Sequence, residues 1–367
     1  MVEFKEVEVK KDKSVFDQIS EHDHEKIVFC HDKETGLKAI IGIHNTVLGP
    51  ALGGTRMWSY ASEAEALDDV LRLSRGMTYK AAISGLNLGG GKAVIIGDAK
   101  KDKSEALLRR YGRFIKNLNG AYITAEDVGT TTKDMEFIHM ETEHVAGLPE
   151  SMGGSGDPSP VTAYGTYMGM KAAAKKAFGT DSLAGRKISV QGVGHVGGYL
   201  VELLAKENAQ IYITDIYEDR LKEVSSKYSA TKVVGMDDIY DLDVDIYAPC
   251  ALGGTINDET LSRLKCRVIA GSANNQLRNE EVHGPALIDL GIYYAPDFLI
   301  NAGGLINVYS ELNGYNRESA YAQTERIYGY TLDIFNLAEK EGIYTQLAAT
   351  KLAEKRIASI ARIHATY

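Results

Sequence analysis

Hydrophobic and polar positions along the chain change their spacing from segment to segment, and each spacing predicts an element. Over residues 37–43, Leu37, Ala39, Ile41 and Ile43 alternate with Lys38, Ile40 and Gly42, the two-residue period of a strand. After Ser62, which with Glu65 reads as a capping box, Leu67, Val70, Leu71 and Ser74 share one face of a helix. A second helix from Ser104 places Leu107, Leu108, Tyr111, Phe114, Ile115 and Leu118 at helical spacing. The glycines and prolines of residues 152–160 forbid a continuous element there and mark a hinge and boundary. A helix follows from near Val161 through Met170 to Ala177. From Lys187 onward, apolar strands ending near Val190, Thr214, Tyr247, Ala270 and Ala295 alternate with helical stretches, as in a parallel sheet covered on both faces. The tail from about Gly342 reads as a charged helix. The expected fold is α/β in two domains separated by a cleft. Residues 1–150 form the first domain, 151–341 a Rossmann-type doubly wound domain, and 342–367 a helical tail.

Composition narrows the function classes. A chain of 367 residues exceeds one ordinary core, consistent with two domains. A formal net charge of -9 argues against nucleic-acid binding, which needs a basic surface. No apolar run reaches the ~20 residues needed to cross a bilayer, and the first eleven residues are too charged for a signal or transit peptide. Cys30, Cys250 and Cys266 are dispersed and odd in number, which points to free thiols and a cytoplasmic protein. No metal cluster is expected; His22 and His24 read as a solvated pair in a charged region.

Candidate chemistry enters at two places. Residues 187–191 read as a strand, followed at once by Gly192-Val193-Gly194-His195-Val196-Gly197 and a helix carrying Tyr199, Leu200, Leu203 and Leu204. Gly192 permits the tight turn, Gly194 lets a pyrophosphate approach the backbone, and Gly197 lets helix and sheet pack closely. A second strand ends at Asp215, near the ~20-residue spacing expected of a carboxylate on the ribose hydroxyls. Strand, turn, helix, strand and acid in this order make a dinucleotide site. The absence of an arginine directly after Asp215 favours NAD over NADP, with Arg220 close by in sequence. His195 is expected at the helix start with no proton-transfer role.

The second place lies upstream. Leu88-Gly89-Gly90-Gly91-Lys92 fails as a phosphate loop, because Ala93 stands where Ser or Thr is needed. Lys92 is instead expected on a glycine turn leading into a strand at residues 93–96. Lys80 offers a fixed cation for a carboxylate, and Asp127 a carboxylate to relay protons or hold an ammonium. A lysine buried near another cation loses its proton more easily, down to roughly pKa 7–8, which suits a general base.

These segments, with residues 49–57, 76–80, 86–92, 122–129, 248–251, 271–277 and 301–304, resemble the glutamate/leucine/phenylalanine/valine dehydrogenase family, in order along nearly the whole chain. The resemblance implies reversible oxidative deamination of an L-amino acid with NAD, giving a 2-oxo acid, ammonium and NADH. By family pattern, Lys80 binds the substrate carboxylate, helped by the backbone at Gly53 and by Asn275. Lys92 is general base on the attacking water, and Asp127 exchanges protons with the substrate nitrogen. Thr162 and Asn274 face the nicotinamide, with Gly192, Val193, Gly194, Gly197 and Asp215 holding the rest of the cofactor. It also implies a homo-oligomer, an octamer, built through the first domain.

By the same resemblance Leu52, Met77, Ala125, Leu305 and Val308 line the side-chain pocket. They are apolar, with no cation for a side-chain carboxylate, which disfavours glutamate. Ala125 matches leucine-type members, whereas Leu305 matches the phenylalanine branch. Ala125 with the surrounding residues 123–127 is weighted more, so leucine, isoleucine and valine are the expected substrates, with phenylalanine as runner-up. One methylene in an apolar pocket discriminates by only ~1–3 kcal/mol, so broad branched-chain use is expected. An inactive NAD-binding regulatory protein is the alternative from another class; it would lack turnover despite binding NADH.

Overall fold

The computed structural model describes residues 14–364; the reading of the first eleven residues lies outside them. Two sheets organise the chain. The first contains β1 (Lys26–Asp32), β2 (Leu37–Asn45), β3 (Ala51–Trp58), β4 (Gly89–Ile96) and β5 (Tyr122–Glu126), in the order β1-β2-β4-β3-β5. It is mixed: β2 pairs antiparallel with β1 and β4, and β3 pairs parallel with β4 and β5. The second contains β6 (Lys187–Gln191), β7 (Gln210–Thr214), β8 (Thr231–Val233), β9 (Ile246–Pro249), β10 (Val268–Ile269) and β11 (Tyr293–Tyr294). All its pairings are parallel, in the order β8-β7-β6-β9-β10-β11, the dinucleotide-binding arrangement whose strand order reverses at the first strand.

The alternation at residues 37–43 does form a strand, but both of its faces are buried. Leu37, Ala39, Ile41 and Ile43 join Leu107, Leu108 and Tyr111 of the helix Glu105–Lys116 in one cluster. Ile40, from the other face, joins Leu67, Val70 and Leu71 of the helix Glu63–Ile83. Period alone cannot report a second covering layer. That helix starts as expected at Ser62, whose Oγ accepts from the Glu65 N–H, yet the box is only half made: the Glu65 carboxylate accepts from Ala61 N–H instead.

Two further expectations are corrected. Lys92 lies inside β4, not on a turn before it, and the glycines ahead of it belong to the strand. Their function is close packing: a Cβ on Gly90 would lie 2.1 Å from the Thr78 nitrogen of the overlying helix. His24 is buried, not solvated. Its Nε2 lies 2.7 Å from Ser74 Oγ, and its ring sits edge-on to His44 with centroids 4.8 Å apart. Neither the eight-residue helix Val15–His22 nor the strands betray this pairing, because it joins residues twenty positions apart.

The helix Ser159–Phe178 opens the second half of the chain, with Pro158 at its N-cap and Gly179 in the left-handed region at its C-cap. At the other end, the helix Thr345–His364 returns to the first half. Arg356 Nη1 donates to the carbonyls of Ala82 (3.0 Å) and Leu86 (2.6 Å), capping the C-terminus of the helix Glu63–Ile83. Among the described residues, no helix is long and apolar enough to cross a membrane, and no group of histidines, cysteines and carboxylates has the arrangement of a metal site.

Candidate active site

Close packing of the Glu63–Ile83 helix on the glycines of β4 brings Lys80, in the helix's last turn, to the same cleft as Lys92. Asp127 follows β5 directly. The β3–β4 ladder is interrupted at Gly53 and Gly54, where a Cβ on Gly53 would lie 1.7 Å from the Gly91 carbonyl oxygen. The resulting cleft has a volume of about 430 Å³. Leu52, Met77, Ala125, Leu305 and Val308 line it together with Lys80, Lys92 and Asp127. Leu305 and Val308 come from the helix Gly303–Glu311, so both halves of the chain build the wall. Gly53 lies behind the lining, its carbonyl accepting from the Tyr122 hydroxyl at 2.6 Å.

Electrostatics separates the two lysines. Lys92 is buried, and its Nζ stands 2.7 Å from Asp127 Oδ2. Burial works to raise the Asp127 pKa, but the ammonium of Lys92 and the guanidinium of Arg56 outweigh it and hold the carboxyl below its ordinary value. Lys80 donates from Nζ to Asn301 Oδ1 at 2.6 Å. Burial, with Lys92 as a second cation nearby, pulls Lys80 down to about 8 despite the opposing field of Asp297. The depression of a buried lysine is thus found at Lys80, the residue expected to bind the carboxylate.

Asn301 extends this contact across the cleft. Its Nδ2 donates to Asn274 Oδ1 at 2.6 Å and to the Ser272 carbonyl at 3.1 Å. Lys80 and Asn274, read separately from the sequence, are therefore joined through one amide. Asn275 sits on the same loop in the left-handed region at φ 52°, a conformation asparagine tolerates better than most residues.

At the start of the second sheet, Gly192 has φ +97°, and a Cβ there would meet Ala251 at 2.6 Å. Gly197 has no room either, its would-be Cβ lying 2.0 Å from the Gly192 carbonyl oxygen. Gly194 faces open space except for Arg220 Nη1, 3.6 Å from its would-be Cβ. Asp215 caps this turn, accepting from Val193 N–H at 2.8 Å and from Tyr217 N–H at 3.0 Å. The turn feeds the twelve-residue helix His195–Lys206, with His195 exposed at its first position. An open backbone at a helix N-terminus beside a fixed carboxylate fits a pyrophosphate and a ribose diol. Thr162 donates to the Pro158 carbonyl and lies against Gly304, where the hinge meets the cleft.

Three residues with parts here carried no individual signal. Asn301 and Arg56 lie inside family-like segments, but their partners are 221 and 71 positions away. Glu311 accepts from the N–H groups of Gly147 and Ser155, each at 2.9 Å, and from the Ser155 hydroxyl, tying both sides of the 3-10 turn Glu150–Met152 to the helix that carries Val308.

Comparison with known proteins agrees with this geometry. The model of the Glu/Leu/Phe/Val dehydrogenase dimerisation domain matches residues 24–144, and that of the Glutamate/Leucine/Phenylalanine/Valine dehydrogenase domain matches residues 153–216 and 211–361. The chain is 58% identical over 353 residues to a leucine dehydrogenase of Thermoactinomyces intermedius, with 96% of each chain covered. It is 48% identical over 357 residues to a phenylalanine dehydrogenase of Bacillus thermotolerans, covering 96% of this chain and 93% of that one. The crystal structure of L-tryptophan dehydrogenase from Nostoc punctiforme superposes with a TM-score of 0.86 at 46% identity, over 95% of this chain and all of that one. With both halves of the chain matched in order and the cleft between them lined by the expected side chains, the chain belongs to the glutamate/leucine/phenylalanine/valine dehydrogenase family.

Proposed function

We propose that the protein catalyses the NAD-dependent, reversible oxidative deamination of L-leucine and other branched-chain L-amino acids to 2-oxo acids, releasing ammonium and NADH. The observation that carries this is the cleft itself: two lysines and a carboxylate stand over an apolar wall that offers no arginine to a substrate side chain. Residues 1–150 serve substrate and assembly, 151–341 the cofactor, and the tail of 342–367 includes a helix that braces the first domain through Arg356. Gly192, Val193, Gly194, Gly197 and Asp215 hold the dinucleotide, with Thr162 and Asn274 toward its nicotinamide, and NAD when bound supplies the hydride acceptor.

The chain's own residues then have separable tasks. Lys80, fixed by Asn301, takes the substrate carboxylate with the backbone near Gly53 and with Asn275, so the α-carbon is oriented toward the second domain. Asp127 removes a proton from the substrate ammonium before hydride departure. Lys92, having first lost its proton to solvent, then takes a proton from the water that attacks the substrate iminium carbon, and the 2.7 Å contact places the resulting ammonium against Asp127. Asp127 returns a proton to nitrogen, and as ammonia leaves it takes the carbinolamine hydroxyl proton and passes it to the ammonia, which departs as ammonium. Closure about residues 153–160, where Glu311 grips Ser155, excludes bulk water.

Parallel assays of NADH formation at alkaline pH test the reading. Fast reduction is expected with leucine and valine, little with phenylalanine and none with glutamate. The higher identity to a leucine than to a phenylalanine dehydrogenase, and Ala125 in the wall, support that order. Leu305, in the same wall, favours the second reading, a phenylalanine dehydrogenase; the highest kcat/KM with phenylalanine would establish it. No reduction with any amino acid, despite NADH binding, would overturn both.

The proposed assembly is a homo-octamer through the first domain, where the matching model is described as a dimerisation domain. Light scattering is expected to give eight times the 40.0 kDa chain mass, and a monomeric mass would refute any assembly. The free thiols Cys30, Cys250 and Cys266 support action in the cytoplasm.

A further inference from the structure

We propose that Arg56 is a positioning residue for Asp127: its guanidinium fixes the carboxylate beside Lys92 and sets how readily it takes a proton from the substrate nitrogen. This rests on the deamination reading above and adds to it a residue that stands outside the lining of the substrate cleft. Arg56 lies on β3, next to the strand that carries Lys92 and the strand that leads into Asp127. Its Nε donates to Asp127 Oδ2 at 3.3 Å, the same oxygen that Lys92 meets at 2.7 Å.

The guanidinium is shared. Its Nη1 donates to Asp69 Oδ2 at 2.9 Å, and Asp69 also accepts from the Tyr60 hydroxyl at 2.7 Å and from Arg72 Nη2 at 2.8 Å. Lys92, Asp127, Arg56 and Asp69 thus form a row of alternating charge leading from the substrate cleft to a second cleft lined by Trp58, Tyr60 and Arg72. The side chains of Lys92, Asp127, Arg56 and Asp69 are 10%, 21%, 24% and 14% exposed, so water screens these contacts only partly. A lysine has one point charge, whereas the planar fork of arginine reaches two carboxylates from fixed directions.

Other groups facing Asp127 are few. Lys92 comes from β4, the Thr130 hydroxyl accepts from the Asp127 N–H at 2.9 Å, and Glu126 precedes it on β5. Lys80 faces the same cleft from the helix Glu63–Ile83. The second half of the chain contributes Gly156, Pro158, Gly304, Leu305 and Val308 to the lining, none of them charged. Arg56 and Lys92 are accordingly the two cations in contact with Asp127 among the described residues.

The sharing of Arg56 makes the test a matter of sign. Removing Arg56 takes one cation from Asp127. Neutralising Asp69 leaves Arg56 less compensated, so Asp127 feels more positive charge. The experiment measures kcat/KM for leucine against pH in the wild type, Arg56→Gln, Arg56→Lys and Asp69→Asn, using the full-length chain. In Arg56→Gln the acid limb, which reports proton uptake by the acid–base pair that Asp127 forms with Lys92, is expected to move up by about one pH unit. It moves down in Asp69→Asn, and Arg56→Lys recovers part of the upward shift. A lower rate with an unmoved limb, or shifts in the same direction for Arg56→Gln and Asp69→Asn, would show a purely structural role and overturn the proposal. If Arg56→Gln does not fold, the downward shift in Asp69→Asn decides. A wild-type protein inactive on every amino acid would sink the deamination reading, and this proposal with it; an active one with unmoved limbs sinks this proposal alone.

Discussion

Replacing Lys92 by alanine is expected to lower kcat for leucine by about a thousandfold while leaving NADH affinity within twofold of wild type. General acid–base catalysis contributes on the order of 10²–10⁴ in rate, and Lys92 is the cation in shortest contact with Asp127. The substitution does two things at once. It removes the group proposed to activate water, and it leaves Asp127 in a mostly buried site with Arg56 as its remaining cation. The turn proposed to hold the dinucleotide is built from Gly192, Val193, Gly194 and Asp215 on the second sheet, whereas Lys92 belongs to the first. Fluorescence titration with NADH therefore separates catalysis from cofactor binding. Retained turnover would remove Lys92 from the mechanism; loss of both properties would mean that the change unfolds the cleft.

Acid is expected to destabilise the first domain through His24 and His44, well above the pH at which carboxylates protonate. Burial is the main cause that lowers both histidines to about 4. His24 is further lowered by His44, and His44 by Arg75. Ser74 has one hydroxyl proton, and its Oγ lies 2.7 Å from the Val70 carbonyl oxygen. With that proton so used, His24 Nε2 is the donor to Ser74, and His24 Nδ1 is left buried with no partner. The folded state thus holds both rings neutral. The ordinary histidine value is 6.5, so as pH falls below it the unfolded chain binds protons that the folded chain refuses. The stability lost grows from about pH 6.5 down to about pH 4 and then levels off. Each pKa unit is worth about 1.36 kcal/mol, so the pair amounts to several kcal/mol against a total of about 5–15. Thermal unfolding followed at pH 7 and pH 4.5 is expected to show Tm falling by about 10 °C. The drop should shrink in His44→Gln, where one of the two titrating rings is gone. Equal Tm at both pH values, or an unchanged drop in the variant, would assign acid sensitivity elsewhere.

How far the sequence carried is best judged residue by residue. The dinucleotide turn was legible because its parts are local. Gly192, Gly194 and Gly197 lie within six positions; Gly192 and Gly197 each answer a steric demand that no other residue meets as well, and Gly194 leaves the backbone open. The helices after Ser62 and Ser104 were legible for a similar reason, since capping and period act over a few residues. Strand β3 was not picked out, because Gly53 and Gly54 weaken its β-propensity and only the neighbouring strands β4 and β5 hold it extended. The glycines before Lys92 misled in the same way. They read as a turn, whereas their small size is what lets a helix lie on the strand.

By itself the sequence determined the α/β class, the parallel second sheet, the glycine turn between its first strand and helix, and the residue types that identify the family. Those depend on period, on short-range sterics and on side-chain chemistry, all of which reside in neighbouring positions. Tertiary structure alone decided that Lys80 loses its proton more easily than an ordinary lysine, because that depends on burial, with a second cation twelve residues away. It also decided that Asn301 joins Lys80 to Asn274, that Glu311 holds Gly147 and Ser155, and that Arg56 divides itself between Asp127 and Asp69. Each of these is a contact between distant segments, whose strength is set by distance and by exclusion of water, and neither is written in the order of residues.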